Sequence, residues 1–304
     1  MEIDALEVQI DPRSRDPTEL WNRYLSKERI CRPIPALSLD TPVRDDAVRF
    51  VCVSDTHEDL ASLLASKLVP RRIANSVPQR YIPPGDVFVH CGDFTHIGEK
   101  AAVLKFNKQI GELPHKHKIV IAGNHEIGFE DSEDFAAKIE RNFKRFTRYC
   151  DIQPELYKLL TNCTYLQNSF TEVYGIRIYG SPYQETKGWE FYRTRGESIL
   201  EEWLKIPTYN SATPIDVLLT HSPPLGHNDI GYYSERLGCA ELLNVVEKRV
   251  RPKFHVFGHI HENNGITTND VTTFINASIC NNDNKSVDSP IIFDIPLPEG
   301  QSKN

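Results

Sequence analysis

Five short apolar runs, each followed directly by polar residues, constrain the fold more than any other feature of this chain. They occupy residues 50–53, 87–90, 119–122, 217–220 and 254–257. Helical spacing of apolar residues lies between them, near residues 60–68, 103–110, 135–143, 199–204 and 242–250. Short buried strands that alternate with helices are typical of α/β proteins. We therefore predict an α/β fold in which the polar ends of these strands can converge.

Composition places the chain among ordinary globular proteins. Its 304 residues carry a formal net charge of −7, which argues against a protein that coats nucleic acid. The seven cysteines are widely spaced and favour reduced thiols over a disulfide framework or a zinc knuckle. No apolar run is long enough to span a membrane, and residues 1–4 do not resemble a signal peptide. We expect a cytoplasmic protein with no membrane association.

Residues 1–48 are interpreted as an N-terminal extension that packs on a domain covering residues 49–304. In the extension, Leu6, Val8 and Ile10 alternate as in a short half-exposed strand. The stretch from Asp16 to Glu19 predicts a helix start with Asp16 as its N-cap. The proline-rich residues 32–35 then predict an extended segment.

Residues 59–84 separate the first apolar run from the second. Leucines at helical spacing predict a helix that ends before Pro70, and Arg71, Arg72 and Arg80 follow. A solvated surface excursion is favoured over a lid whose arginines contact substrate, and contact of this segment with substrate is left open.

The polar residues after the five runs carry the candidate chemistry. Seven of them are oxygen or imidazole donors, namely Asp55, His57, Asp93, Asn124, His221, His259 and His261. Mixed histidine and carboxylate donors suit Zn²⁺, Mn²⁺ or Fe. Seven donors are too many for one tetrahedral ion and suit two ions that share a carboxylate, for which Asp93 is the natural choice. Donors two residues apart, as in Asp55 with His57 and His259 with His261, could face a common point on extended backbone.

In order and composition these segments resemble the calcineurin-like metallophosphoesterases. The motifs are Asp55-Thr56-His57, Gly92-Asp93, Gly123-Asn124-His125-Glu126, Thr220-His221-Ser222-Pro223-Pro224 and Gly258-His259-Ile260-His261. Further segments, among them 105–107, 249–253 and 274–278, look like the metallophosphoesterase-domain-containing branch, which is related to class III cyclic-nucleotide phosphodiesterases. The resemblance implies a layered sandwich of two facing mixed β-sheets flanked by helices.

The resemblance also implies roles for individual residues. Asp55, His57, Asp93 and His261 would hold the first metal ion, and Asp93, Asn124, His221 and His259 the second. His125 would contact phosphate and protonate the leaving oxygen, and it is predicted to be catalytic together with Asp93. Glu126 would orient its neighbours.

We therefore expect a metal-dependent phosphodiesterase in which a metal-bridging hydroxide attacks small phosphodiesters, with cyclic nucleotides as one class. Two divalent ions among Mn, Fe, Zn and Mg are expected, with Mn favoured in vitro. The alternatives are a phosphomonoesterase or protein phosphatase, and a nucleotide-binding regulatory module with little turnover. Long nucleic acid is an unfavoured partner, and protein partners are not predicted.

Several residues near these motifs have two interpretations. Trp189, Phe191 and Tyr192 could stack on a nucleobase, but packing is favoured. Asn276 could border the site or cap a bend. The remaining histidines are predicted to be core or surface residues, with His96 and His227 close to the site; they are His90, His96, His115, His117, His227 and His255.

Overall fold

The computed structural model describes residues 8–65, 81–131, 135–136, 139–140 and 151–303. Twelve strands in this part of the chain form two β-sheets. The strands are β1 (Arg32–Pro33), β2 (Ala47–Val53), β3 (Val87–Cys91), β4 (His117–Ile121), β5 (Thr164–Tyr165), β6 (Ser169–Val173), β7 (Ile176–Ser181), β8 (Val217–Thr220), β9 (Phe254–Phe257), β10 (Gly265–Thr268), β11 (Thr273–Asn276) and β12 (Ile291–Pro296).

Both sheets are mixed, with parallel strands at their centres. The smaller sheet has the order β12-β2-β3-β4-β5, in which β2 to β5 run parallel and β12 is antiparallel to β2. The larger sheet has the order β1-β10-β11-β9-β8-β7-β6, in which β11, β9, β8 and β7 are parallel. The five predicted strands are β2, β3 and β4 of the small sheet and β8 and β9 of the large sheet. The predicted sandwich of two mixed sheets is confirmed.

An apolar core fills the space between the two sheets. Alternate residues of β2, such as Phe50 and Cys52, share one buried cluster with Leu219 of β8 and Val256 of β9. Phe293 of β12 stacks on Phe50 within its own sheet, with ring centroids 4.8 Å apart. Phe293 also stacks on Phe254 of the large sheet, with ring centroids 3.9 Å apart. Side chains from both sheets therefore interdigitate, as in other sandwich cores.

Helices cover the outer faces of the sheets. They are α1 (Pro17–Arg23), α2 (Leu60–Ala65), α3 (Lys100–Gly111), α4 (Glu197–Trp203) and α5 (Ala240–Val245), and a π-helical turn (Val246–Val250) continues α5. Val103, Phe106 and Ile110 line the buried side of α3 and join a core cluster with Val51 and Phe88. The spacing predicted this face correctly, and the same holds for the pattern near residues 242–250. In the pattern near residues 199–204, Ile199, Leu200 and Trp203 are buried as predicted, but Leu204 is exposed.

The N-terminal segment contacts the large-sheet side of the molecule. Asp16 caps α1 and accepts a hydrogen bond from the Glu19 backbone N–H at 2.9 Å, as predicted. Leu20 and Trp21 of α1 are buried in a cluster that includes Leu243 of α5. Residues 32–33 are extended, as expected, and form β1, which pairs with β10. The division at residue 48 stays a prediction.

One prediction for the first half of the chain needs correction, and others fall on residues that the structure does not describe. Val8 and Ile10 are not in a strand, because no described strand pairs with them and a 3₁₀ turn begins at Pro12. Leu6, the segment 66–80 with its arginines, and most of the predicted helix near 135–143 lie outside the described residues. The helix predicted after Asp59 is present as α2, over Leu60–Ala65.

Two further observations concern cysteines and membrane spans. Six cysteines in the described part of the chain are free thiols, and four of them are buried. In that same part, no helix combines the length and apolar character needed to cross a bilayer.

Candidate metal centre

The seven predicted donors follow five strands that end at the same edge of the sandwich. Asp55 and His57 follow β2, and Asp93 and Asn124 follow β3 and β4 of the same sheet. From the large sheet, His221 follows β8, and His259 and His261 follow β9. Because β2, β3 and β4 are parallel and β8 and β9 are parallel, the donors of each sheet leave its carboxyl edge together.

The structure brings all seven donors together. In one group, donor atoms of Asp55, His57 and His261 lie within 4.8 Å of one another. A second group has the same spacing and joins Asp93 to His221 and His259. Asn124 extends the second group, since its Oδ1 atom lies 2.8 Å from His221 Nε2.

Asp93 lies between the two groups. Its Oδ2 atom is 3.4 Å from His221 Nε2 in the second group and 4.0 Å from His57 Nε2 in the first. Asp93 is 2% exposed, so its carboxylate faces the histidines with little access to water. The geometry therefore agrees with one carboxylate shared between two cation sites.

The expectation that donors two residues apart face a common point on extended backbone needs correction. Asp55 and His57 do share a group, but their φ angles are +55° and +40°, in the left-handed region. His259 and His261 belong to different groups, and His259 has a φ of +70°. A strand period therefore does not apply to these loops, because the backbone turns sharply as soon as each strand ends.

Strained backbone is concentrated at the centre. Asp93 also has a positive φ, +55°. Left-handed conformations cost a non-glycine residue about 1–3 kcal/mol and persist where surrounding contacts enforce them. Here the Asp55 N–H donates to the Gly92 carbonyl at 2.9 Å, and the His57 N–H donates to the Asp93 carbonyl at 3.0 Å. These bonds hold the β2 and β3 loops against each other.

Glu126 links the loop after β3 to the loop after β4. It is fully buried, and its Oε2 atom accepts the backbone N–H groups of Asp93 at 2.8 Å and Gly123 at 2.7 Å. Its Oε1 atom accepts both the N–H and the hydroxyl of Thr95 at 2.9 Å. This network is what the predicted orienting role of Glu126 requires.

Carbonyl groups orient two of the histidines. A carbonyl oxygen can only accept, so His221 Nδ1 donates to the Cys91 carbonyl at 2.9 Å and His261 Nδ1 donates to the Asn281 carbonyl at 3.1 Å. The Nε2 atom of each ring is thereby turned towards the donor groups. Metal-binding histidines are held in this way in many proteins.

Burial and the two carboxylates set the charges of the centre. Burial lowers the pKa of His57 to about 4 and that of His259 to about 3, which keeps both rings neutral at pH 7. Burial would also lower the pKa of His221, but the adjacent Asp93 carboxylate outweighs it and raises this pKa to about 9. Burial opposes ionisation of Asp93, yet His221 and His125 hold its pKa well below the usual range.

The donor set fits divalent cations. His57 Nε2 faces His261 Nε2 at 3.3 Å, an approach of two basic nitrogens that a cation would stabilise. The donors are imidazole, carboxylate and amide groups with no thiolate, and neutral imidazole with carboxylate suits Mn, Fe and Zn. The assignment of individual donors to a first and a second ion stays a prediction.

His125 lies at the rim of the centre. Its backbone N–H donates to Asp93 Oδ1 at 2.8 Å, and its ring Nδ1 donates to the His96 carbonyl at 2.5 Å. The Nε2 atom therefore faces inward, 3.9 Å from Asp93 Oδ2. Trp189 packs against the His125 ring, with centroids 4.2 Å apart.

The structure also places the residues whose interpretation was open. Phe191 is fully buried and packs in the core, as favoured, whereas Trp189 covers His125. Asn276 donates to the carbonyls of Asn228 and Ile260 and so supports the loop of His259 and His261. His227 is buried against Phe274, and His96 contributes its carbonyl rather than its ring to His125.

A cavity of about 900 Å³ opens in front of the donors. Asp93, Asn124, His125, His259 and His261 form its floor. Its outer walls come from the segment around residues 231–233, from Glu235 and Leu237, and from residues 262 and 281–283. Sequence patterns gave no signal for these walls, because they depend on how separate loops meet. The same holds for Thr186, whose hydroxyl lies 3.1 Å from His259 Nε2.

Comparisons with known proteins agree with this arrangement. The sequence pattern of the calcineurin-like phosphoesterases matches residues 48–263. A Caenorhabditis elegans protein called UPF0046 protein C25E10.12 is 49% identical over 97% of this chain and 98% of its own length. The human metallophosphoesterase domain-containing protein 1 is 42% identical over 96% of this chain and 86% of its own length. The chain therefore belongs to the calcineurin-like phosphoesterase family.

Proposed function

We propose that this protein is a metal-dependent phosphodiesterase that hydrolyses small phosphodiesters. The observation that carries the proposal is the position of Asp93 between two groups of largely buried metal donors, with His125 beside it. We assign Asp55, His57, Asp93 and His261 to one divalent ion. We assign Asp93, Asn124, His221 and His259 to the other.

Two divalent ions, with Mn²⁺ as the first choice in vitro, would polarise the phosphoryl oxygens and supply a nucleophile at neutral pH. The chain itself contributes orientation and proton transfer. Asp93 and the neutral rings of His57 and His259 provide donors that need no proton release at pH 7. The loops around them keep most of the donors from water, since five of the seven are buried and His259 and His261 are partly exposed.

His125 is the proposed proton donor to the departing alkoxide. The His96 carbonyl accepts the Nδ1 proton, so the Nε2 atom faces the cavity and, in the doubly protonated ring, carries the proton that passes to the alkoxide. A general acid of this kind contributes roughly 10²–10⁴-fold to the rate. Trp189 on one side of the ring restricts its rotation.

Small soluble diesters are the proposed substrates, and cyclic nucleotides are one class that the family resemblance supports. The cavity volume of about 900 Å³ suits a ligand of that size. In the described part of its wall, the cavity has no lysine or arginine that would track a long polyanion. The free cysteines agree with a reducing compartment such as the cytosol, where we place the protein.

The decisive experiment compares a diester and a monoester with the same leaving group. Purified protein is stripped of metal, reloaded with Mn²⁺, Fe²⁺, Zn²⁺ or Mg²⁺, and assayed with bis(4-nitrophenyl) phosphate and 4-nitrophenyl phosphate. We expect metal-dependent turnover with a higher kcat/KM for the diester. A preference for the monoester would instead support a phosphomonoesterase. Tight nucleotide binding without metal-dependent turnover of either ester would support a regulatory module.

A further inference from the structure

We propose that the preferred phosphodiester carries a cationic ammonium group on one of its alcohols, and that Tyr232, Tyr233 and Glu235 bind this group. The proposal rests on the proposed phosphodiesterase function and names the substrate class of the same site. The outer wall of the cavity carries exposed tyrosines and carboxylates, and hydrolysis of a phosphodiester does not by itself require either.

Two tyrosines project from this wall into solvent. Tyr232 is 69% exposed and Tyr233 is 84% exposed, and both line the cavity that holds the metal donors. Their rings meet edge to face, with centroids 5.1 Å apart and planes at 89°. Aromatic rings of this size are normally at least half buried, so two adjacent exposed rings beside a reactive site indicate a surface for a ligand.

The tyrosines are held at the tip of a short hairpin that is fixed to the protein at its base. Ile230 and Arg236 pair across the hairpin, and the Ser234 N–H donates to the Gly231 carbonyl at 3.0 Å to close the turn. At the base, the fully buried Asp229 accepts the Gly238 N–H at 3.2 Å and forms an ion pair with Arg236. The tip is therefore presented by a rigid element, so little conformational entropy is lost when a ligand binds.

Arg195 joins this base to the metal centre. Its guanidinium donates to the Leu237 carbonyl at 2.7 Å and to the Gly238 carbonyl at 2.8 Å. It also lies 3.4 Å from Glu185, the neighbour of Thr186. Because the Thr186 hydroxyl contacts His259, the hairpin and the metal donors share one set of supports. These contacts would keep a phosphate held by the metals and a group bound at the tyrosines at a nearly constant separation.

The negative charges of the outer wall favour a cationic ligand group beside the tyrosine rings. Glu235, Glu262 and Asp283 line the cavity, and no lysine or arginine does so among the described residues. Glu235 is the closest of these to the tyrosines in sequence, and its Oε2 atom is buried with no hydrogen-bond partner in the described part of the chain. A buried carboxylate oxygen without a partner is costly unless a cation or donor reaches it.

A cationic ammonium group satisfies both features. The faces of tyrosine rings attract cations, most strongly where nearby water is displaced, and quaternary ammonium groups are bound in this way by aromatic residues with acidic neighbours. The phosphate of the same molecule would be held by the two metal ions at the other end of the cavity. A substrate with one negative phosphate and one positive alcohol therefore matches the charge at both ends, whereas an additional phosphate would meet three carboxylates.

The test uses two diesters that differ in one charge only. 4-Nitrophenyl phosphorylcholine and 4-nitrophenyl 3,3-dimethylbutyl phosphate share the leaving group and the shape of the second alcohol, because a tert-butyl group replaces trimethylammonium. With the metal-loaded full chain we expect kcat/KM to favour the choline ester by about tenfold. Equal values, or a preference for the neutral ester, would overturn the proposal while leaving phosphodiesterase function intact. If the protein hydrolyses neither of these esters nor bis(4-nitrophenyl) phosphate, both this proposal and the proposed phosphodiesterase function are overturned.

Substitutions in the hairpin test whether its residues cause the preference for the choline ester. Tyr232→Leu, Tyr233→Leu and Glu235→Gln should each move the ratio of the two kcat/KM values towards one, since each removes a ring face or a charge. Tyr24→Leu and Glu201→Gln are the matched controls, because neither residue lines the cavity and both are exposed. A ratio that all three hairpin variants leave at its original value would refute the assignment. The ratio is insensitive to partial loss of folded enzyme, because both esters report on the same active molecules.

Discussion

The backbone N–H of His125 donates a hydrogen bond to Asp93 Oδ1 at 2.8 Å, so the proposed proton donor and the proposed bridging carboxylate are held in one unit. The other oxygen of Asp93 faces the histidines of both donor groups. The loop after β4 therefore cannot shift without moving Asp93. Because the two residues are coupled, their roles are distinguished by what each substitution removes: metal binding for Asp93 and proton transfer for His125.

Replacing Asp93 should remove the metals. We expect Asp93→Ala to bind less than one divalent ion per chain and to lose nearly all diester hydrolysis, because both donor groups lose their shared carboxylate. Metal content measured by plasma mass spectrometry, together with turnover, checks this. Asp45→Asn, an exposed carboxylate before β2, is the control. Two ions retained in Asp93→Ala would contradict the bridging assignment.

Replacing His125 should leave the metals in place and slow the chemistry selectively. For His125→Ala we expect kcat to fall by roughly 10²–10⁴-fold with alkyl leaving groups, which need protonation. The loss should be much smaller with 4-nitrophenolate, which leaves without a proton. A series of aryl and alkyl diesters measures this as a steeper dependence of rate on leaving-group pKa. An equal loss across the series would count against an acid role.

Trp189 should act on the rate through the position of His125. We expect Trp189→Ala to lower kcat by about tenfold with little change in KM, because the His125 ring loses the surface that restricts its rotation. Trp189→Phe should recover most of the rate, since an aromatic face is retained. If KM rises and kcat does not change, Trp189 contacts substrate instead.

Glu126 should matter for stability and metal binding together. In Glu126→Gln the amide nitrogen would face backbone N–H donors that now have no acceptor, which costs about 1–3 kcal/mol for each buried group left unpaired. We expect a lower midpoint in urea unfolding and weaker metal retention. Glu112→Gln, at an exposed position after α3, should change neither. Unchanged stability of Glu126→Gln would show that the loops do not depend on this carboxylate.

His227 should make the protein less stable in acid. Burial and the positive charge of Arg236 lower the pKa of His227 to about 3, well below the value of about 6.5 that is usual for histidine. The unfolded chain therefore binds a proton in this range that the folded chain does not. The stabilising contribution is complete above pH 6.5 and decreases as the pH falls from there towards 3, by at most about 1.4 kcal/mol per pH unit. In His227→Asn, unfolding free energies between pH 7 and 4 should show a shallower slope than the parent protein, and an identical slope would refute the assignment.

The sequence alone carried enough information to predict the central strands and the donors that follow them. Strand β2 is apolar except for Arg49 and is followed directly by Ser54, so both its burial and its polar exit are largely local properties. Helix α3 shows its buried face in the spacing of Val103, Phe106 and Ile110. The N-cap of α1 follows from Asp16 and Pro17. Patterns of this kind depend on neighbours within a few residues.

Tertiary structure decided how those donors are divided and what surrounds them. His259 and His261 are two residues apart, yet they join different donor groups because the left-handed backbone at His259 turns the chain between them. Trp189 contacts His125, and the Asn281 carbonyl accepts a hydrogen bond from His261. The tyrosine hairpin lines the cavity together with Glu262 and residues 281–283, which are distant from it along the chain. Such contacts depend on where loops from two packed sheets meet, and no local pattern of apolar and polar residues encodes that distance.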